Sequence, residues 1–448
     1  MPDDRATIVG EATPPGRGAL RVVRLSGSLA FEILQRLFSP LSGSPWESPR
    51  ALCLGEVHGP GSRMLDKGMA VGFRAPASLT GEDVVELQLH GSPGVIRSVL
   101  DAAVALGARP ALPGEFSYRA FLNGKMEILE AETVQALVQA EAEGQASAVA
   151  AGFRGGLGGE LAAARERLLD LLAGWEARID FPEDVEDEAR EAGVEKLSRA
   201  EESMAHLAAT AQSLRHLREG WRVALVGAVN TGKSSLFNAV LKRERALVTP
   251  HPGTTRDVLE EAVQIAGYPV VLVDTAGIRE SVDPVEALGV SAGLKAAAEA
   301  DAVLFLYDLR AGWREEEEGL LGRLPAPPLA VLANKKDLAP EGALRRGALA
   351  VSALTGEGLE DLSRRLARWV EEQSPRAGER LVTERQAAQV VRALEGLRRS
   401  REALEAGFTE EVAAQGLGEA LRALEEVLSG GSPEDLYDRI FSSFCIGK

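Results

Sequence analysis

Cysteine is scarce: Cys53 and Cys445 are the two in 448 residues. That excludes a disulfide framework and a cysteine-rich zinc site. Aromatic residues make up 5%, so the cores must be built mainly from Ala, Leu and Val. No apolar run approaches about 18 residues, which excludes a membrane-spanning helix and predicts no membrane association. The N-terminal stretch MPDDRATIVG lacks the basic region and apolar core of a signal peptide, so a cytoplasmic, reducing compartment is expected. The end, Cys445-Ile446-Gly447-Lys448, fits a prenylation box poorly, because Lys is last and Ile-Gly is not an aliphatic pair. Basic charge is in the minority, with 50 Lys and Arg against 67 Asp and Glu and a net −17. A protein coated in positive charge for unspecific nucleic-acid binding is thereby excluded, although a local basic patch is not.

What is present is globular. Hydrophobic residues make up 45% and charged residues 26%, and the length predicts about two to four domains. Residues 1–120 alternate strand-like runs (19–27, 51–59, 69–76, 83–91) with helical spacing at 29–38 and 95–107, an α+β pattern. Residues 121–217 carry a net −10 and are nearly all helix formers, with Val134, Leu137, Val138 and Leu168, Leu169, Leu172 at helical spacing. Residues 218–372 alternate short β runs (223–227, 270–274, 302–308, 329–334, 348–353) with helices, predicting a doubly wound, mostly parallel sheet. Residues 373–448 return to helix, with Val391, Leu394, Leu397 and Leu404 periodic, until Ser429-Gly430-Gly431-Ser432-Pro433. The simplest architecture inserts the α/β module into a discontinuous helical domain. Cys53 reads as a half-buried strand residue.

Gly227-Ala228-Val229-Asn230-Thr231-Gly232-Lys233-Ser234 fits G-x-x-x-x-G-K-S. It follows a predicted strand and, with Ser235, opens a helix, which is the context a phosphate loop requires. Its glycines let the backbone wrap a phosphate, and the helix N-terminus adds partial positive charge. Lys233 is placed for the β/γ-phosphates and Ser234 for Mg²⁺. Asp274-Thr275-Ala276-Gly277 ends another predicted strand. Asp274 there is suited to hold Mg²⁺ through water, and the Gly277 amide to sense the γ-phosphate. Thr254 and Thr255 lie in a Pro/Gly-rich loop between these motifs, where Thr255 would complete the Mg²⁺ shell. Asn334-Lys335-Lys336-Asp337 follows a later strand. The Asp337 carboxylate suits the paired N–H donors of guanine, which adenine lacks. The Ser352-Ala353-Leu354 backbone suits guanine O6.

This ordered set resembles the Ras-like G domain of GTPases, and the resemblance implies GTP as ligand. Asn230 resembles the phosphate-loop Asn of potassium-activated GTPases. By that resemblance K⁺ would be held by Asn230 with carbonyls of Thr249, His251 and Thr254, doing the electrostatic work of an arginine finger. No Gln follows the Asp274 motif, since Ile278 is apolar.

The flanks narrow the reading. Ala12-Thr13-Pro14-Pro15-Gly16-Arg17-Gly18, Arg24-Leu25-Ser26-Gly27, Thr80-Gly81-Glu82-Asp83-Val84-Val85-Glu86, Pro113-Gly114-Glu115-Phe116, Arg119–Lys125 and Phe444-Cys445-Ile446-Gly447-Lys448 together resemble the MnmE (TrmE) family of tRNA-modifying GTPases. The resemblance spans the chain. It implies a Ras-like G domain in a discontinuous helical domain, preceded by an α+β folate-binding and dimerisation domain. The implied activity is K⁺-stimulated GTP hydrolysis and, with a flavoprotein partner, folate-dependent addition of a carboxymethylaminomethyl-type group at C5 of the tRNA wobble uridine. Glu286 matches the family's catalytic Glu. Arg24, Glu86, Lys125 and Lys448 match its reduced-folate (tetrahydrofolate) positions, and Cys445 is its C-terminal Cys, a nucleophile or a packing residue. The family also implies a homodimer. The competing reading is a regulatory GTPase, such as a ribosome-assembly factor or scaffold, without one-carbon chemistry. Departures from the family are Ser92 in place of a Gly and Val229 in place of a Pro.

Overall fold

The computed structural model describes residues 6–154, 157–180, 188–246, 259–274, 293–339, 344–374, 383–430, 440–444 and 447. The expectations attached to Thr249, His251, Thr254, Thr255, Thr275, Ala276, Gly277, Glu286, Cys445 and Lys448 lie outside the described residues. The chain divides into two compact units, one of residues 1–135, 160–173 and 418–448, the other of residues 136–159 and 174–417.

The first unit is organised by a seven-stranded sheet. Its strands are β1 (Ile8–Glu11), β2 (Gly18–Ser26), β3 (Phe38–Pro40), β4 (Cys53–His58), β5 (Met64–Phe73), β6 (Val84–Gly91) and β7 (Arg109–Pro110). Their order is β3-β4-β5-β6-β2-β1-β7, antiparallel except for the β1–β7 pair. The period-two pattern predicts the four long strands because one sheet face is buried and the other is not. Val23, Leu25, Val85 and Leu87 point into a core shared with Ile33, Leu34, Ile96 and Val99, which belong to the helices Ala30–Leu37 and Pro93–Ala105. β1, β3 and β7 are too short to show a period. Cys53 is not half-buried as expected: it opens β4 inside this core, 4% exposed.

Helical parts of this unit bury Leu161, Ala164, Leu168 and Leu171, spaced three and four apart. Leu169 is 36% exposed, since a helix turns about 100° per residue and adjacent positions cannot share one narrow stripe.

The second unit holds another seven-stranded sheet: β8 (Trp221–Gly227), β9 (Arg245–Ala246), β10 (Leu259–Ile265), β11 (Tyr268–Asp274), β12 (Ala302–Asp308), β13 (Ala330–Asn334) and β14 (Leu349–Ala350). The order is β14-β13-β12-β8-β11-β10-β9. The first five run parallel, and β10 is antiparallel to both neighbours. Every residue of β12 is buried, as a central strand covered on both faces must be. The Ala266-Gly267 turn joining β10 to β11 has φ 51° and 81°, the pair of positive values a tight hairpin needs. β14 is two residues long rather than the predicted six. The chain turns at Ser352, whose N–H donates to Glu357 O at 2.9 Å.

The α/β module is inserted between helices that pack on each other. Glu188–Glu219 precedes β8, and Glu384–Glu405 follows the module and lies against it. Arg398 and Arg401 both reach the Glu201 carboxylate, at 3.2 and 2.7 Å. Burial pushes that carboxyl up, but the two guanidinium groups outweigh it and leave it below the ordinary range. The expected stripe holds at Leu394, Leu397 and Leu404, which are buried, and fails at its first position, where Val390 is buried and Val391 is 38% exposed. The helix also ends earlier than the composition suggests. Gly407 at φ 83° stops it, and a second helix, Glu410–Ser429, begins. Among the described residues no helix is long and apolar enough to cross a membrane.

Candidate functional site

β8 delivers the chain to a loop whose backbone is bent by two left-handed residues, Asn230 at φ 61° and Gly232 at φ 92°. Asn tolerates that conformation better than other side-chain-bearing residues. At Gly232 a Cβ would also collide with the Asn334 amide nitrogen, and at Gly227 with the Leu306 carbonyl, so glycine is required at both. The helix Lys233–Arg243 starts directly after the loop. Its apolar face, Leu236, Phe237 and Val240, is anchored in the sheet core. Its first turn leaves Ser234 and Ser235 exposed.

The loop is cross-braced. The Thr231 hydroxyl donates to Ala228 O at 2.9 Å. Lys233 Nζ donates to Gly227 O at 3.0 Å and Ala228 O at 2.9 Å. Burial pushes the Lys233 ammonium below its ordinary range, and the neighbouring Asp274 carboxylate works against that shift. Asp274 ends β11 and is fully buried. A cation reaching over the loop, an acid at the adjacent strand end and free hydroxyls at a helix N-terminus are a donor set suited to a phosphate chain with Mg²⁺.

The loop after β13 sits on the phosphate loop through two adjacent residues. Asn334 is 1% exposed; its Nδ2 donates to Thr231 O at 2.9 Å, and its Oδ1 accepts from Ala353 N at 3.1 Å. Lys335, at φ 64°, donates from Nζ to Asn230 O at 2.6 Å and to Asp308 Oδ2 at 2.8 Å. Asp337 accepts from the Ser352 hydroxyl at 2.5 Å, and that oxygen accepts from Thr355 N at 3.1 Å. Asn230, Thr231, Gly232, Lys233, Asn334, Lys335, Asp337, Ser352 and Ala353 are therefore brought to one end of the parallel sheet. Asp308, the last residue of β12, stands in this group although no motif contains it. The available signal was an acid closing a wholly apolar strand.

In the first unit, Arg24 and Glu86 are cross-strand partners in the β2–β6 register. Arg24 Nε donates to Glu86 Oε1 at 2.8 Å, and Nη1 donates to Gly447 O at 3.0 Å. Both side chains are about one-fifth exposed (18% and 21%). The chain end is seated by backbone fit. Gly447 has φ 96°, and a Cβ there would collide with the Glu11 carbonyl; a Cβ on Gly114 would collide with the Phe441 carbonyl. Phe441 also stacks edge-on against Tyr118, with ring centroids 5.4 Å apart. Gly114 of the 113–116 motif thus packs directly on Phe441, ahead of the terminal motif. Lys125 is exposed, in a turn whose side chain borders Gly81.

Beside it runs a polar network around the buried Glu115 and Arg119. Arg119 binds Glu82 at 3.0 Å, Glu115 at 3.0 Å and Ala6 O at 2.8 Å. Glu115 also takes two bonds from Arg109, at 2.5 and 2.8 Å, and the Ser26 hydroxyl donates to Glu82 at 2.6 Å. Burial pushes the Glu115 carboxyl up; the hydrogen bonds from Arg109 and Leu112 and the charge of Arg109 and Arg119 outweigh it and hold it low. The 80–86 and 119–125 motifs therefore hold this frame together as well as flanking Arg24 and Glu86.

A phosphate loop between β8 and a helix, a buried acid closing β11 and an Asn-Lys-Lys-Asp loop clamped onto the phosphate loop define a Ras-like P-loop GTPase. Comparison with known proteins takes this further. Residues 7–125 match the model of the GTP-binding protein TrmE N-terminus and residues 128–445 that of the MnmE helical domain. A protein of Synechococcus sp. named tRNA modification GTPase MnmE is 41% identical over 449 residues, 100% of this chain and 99% of that protein. Proteins of the same name from Symbiobacterium thermophilum (42%; 99% of each chain) and Thermus thermophilus (43%; 98% of this chain and 99% of that one) are similar over the same span. The chain belongs to the MnmE family of tRNA modification GTPases.

Proposed function

We propose that this chain hydrolyses GTP, with K⁺ stimulation, as one half of a complex that modifies C5 of the wobble uridine of tRNA. The observation that carries the nucleotide part is the double clamp of Asn334 and Lys335 on the phosphate loop, which presents the Asp337 carboxylate beside the Ser352-Ala353 backbone. A guanine edge pairs its two N–H donors with that carboxylate, and adenine leaves it unpaired. Lys233 and the loop amides bind the phosphates; Ser234, Thr255 and Asp274 would hold Mg²⁺, and Glu286 would orient the attacking water. Asn230, with carbonyls of Thr249, His251 and Thr254, would hold K⁺. When bound, the two cations supply positive charge where the phosphates gain negative charge.

Residues 1–120 form the folate-binding and dimerisation domain in this reading, 121–217 and 373–448 the helical domain, and 218–372 the G domain. The partly exposed Arg24–Glu86 pair beside Gly447 supports the folate assignment. A carboxylate suits the donor edge of a pterin, and Lys125 and Lys448 suit folate's carboxylates. Cys445 comes directly after Phe444 in the sequence and serves in this reading as a nucleophile or a packing residue. A flavoprotein supplies the redox step, the protein works as a cytoplasmic homodimer, and GTP turnover drives rearrangement of the helical arms. Calorimetry with a reduced folate tests the assignment that separates this reading from a purely regulatory GTPase. Binding by the full chain that is lost in Glu86→Ala is expected. A chain that ignores reduced folates but turns over GTP would leave only the regulatory reading. Equal GTP turnover in K⁺ and Na⁺ would remove the K⁺ assignment.

A further inference from the structure

We infer that Asp308 is a positioning residue of the nucleotide site, holding Lys335 in the placement that ties the guanine loop to the phosphate loop. The inference rests on the GTPase reading. Asp308 closes β12 and lies in register with Asn334, the last residue of β13. Its side chain is 12% exposed and accepts from Lys335 Nζ at 2.8 Å and from Arg310 N at 2.9 Å, with the Arg310 guanidinium 3.6 Å away. Burial pushes this carboxyl up, but the Lys335 hydrogen bond, the Arg310 N–H and both cations outweigh it, so the group stays an anion facing Lys335.

The two clamps between the loops differ in kind. Asn334 reaches Thr231 O with a short side chain that is also fixed by Ala353 N. Lys335 reaches Asn230 O with a flexible four-carbon stem. Asp308 is the group that fixes the far end of that stem. The Asn230 carbonyl it steadies belongs to one of the two left-handed residues of the phosphate loop. Removing the Asp308 carboxylate should loosen this second clamp and spare the first.

The test is the dissociation rate of a fluorescent GDP analogue from the full chain, measured for wild type, Asp308→Ala, Asp308→Asn, Lys335→Ala and the Asp308→Ala/Lys335→Ala pair. Asp308→Ala should release the analogue about tenfold faster, equivalent to about 1.4 kcal/mol. Asp308→Asn, which keeps an acceptor but loses the charge, should fall between it and wild type. In the Lys335→Ala background the second substitution should add less than about twofold, because coupled residues do not add. Asp308→Ala within about twofold of wild type overturns the inference; so does equal acceleration with and without Lys335, the mark of a merely structural role. If Asp308→Ala does not fold, the same comparison with Asp308→Asn decides. A wild-type chain that holds no GDP analogue would overturn the GTPase reading and this inference together, a result recognisable without any variant.

Discussion

Asn334→Ala isolates the first clamp. The Asn334 side chain is buried and its hydrogen bonds are internal: Nδ2 to Thr231 O and Oδ1 from Ala353 N. Alanine removes one donor and one acceptor and leaves two backbone groups facing a small void. Thr231 itself is 2% exposed, so water reaches its carbonyl poorly. Leaving a buried polar group unsatisfied costs about 1–3 kcal/mol, which gives about 2–6 kcal/mol for the pair. For a domain of this size each kcal/mol moves the midpoint by about 2–4 °C, so the G-domain transition should fall by about 4–24 °C. Affinity for GDP should fall as well, because the loops that hold base and phosphate lose their mutual register. Asn334→Asp keeps the acceptor for Ala353 N but turns a carboxylate toward the Thr231 carbonyl, so it should be no better than alanine. Differential scanning calorimetry and GDP titration check both. An Asn334→Ala chain with unchanged melting and unchanged GDP affinity would refute the clamp.

Three further outcomes are expected. Gly447→Ala forces a side chain into the Glu11 carbonyl at a left-handed position; it should unseat the chain end, raise protease sensitivity there and abolish reduced-folate binding while leaving GTP turnover intact. Glu115, whose carboxyl is held below its ordinary value of 4.5, contributes stability that is complete above that pH and lost as the pH falls through the lowered folded-state value. Urea midpoints measured from neutral pH downward should therefore drop steeply at the acid end, and Glu115→Gln should flatten that limb while costing about 3–5 kcal/mol at neutral pH, because Arg109 and Arg119 lose a buried partner. Asp337→Asn replaces an acceptor with a group that is half donor; GTP turnover should fall about a hundredfold or more, with xanthosine triphosphate, which carries an oxygen at position 2, becoming the better substrate.

The parts of the fold legible in the sequence are those where one periodicity dominates. β12 reads as an apolar run because both its faces are covered, and β2 and β6 alternate because one face is. β9 and β14 are two residues long, and no period exists in two residues. The one-place errors at Leu169 and Val391 have a single cause: both sit beside an apolar neighbour, and composition alone does not say which of an adjacent pair faces inward. The phosphate and guanine loops were legible because their geometry demands particular residues at fixed offsets, as the forbidden Cβ at Gly232 illustrates. Asp308 was not legible, because its partner Lys335 is met only when β12 and β13 pair. The Arg109–Glu115–Arg119–Glu82 frame was hidden for the same reason. Glu82, Glu115 and Arg119 stand in separate motifs of the sequence, and only the folded chain brings them together with Arg109 and buries Glu115 and Arg119.

The most direct measurement is nucleoside analysis of bulk tRNA from cells lacking this chain, complemented either with the wild-type sequence or with Lys233→Ala. The account predicts that the aminomethyl-type modification of the wobble uridine disappears, returns with wild type and stays absent with Lys233→Ala, whose phosphate loop has lost its cation. An unchanged wobble uridine in cells without the chain would contradict it.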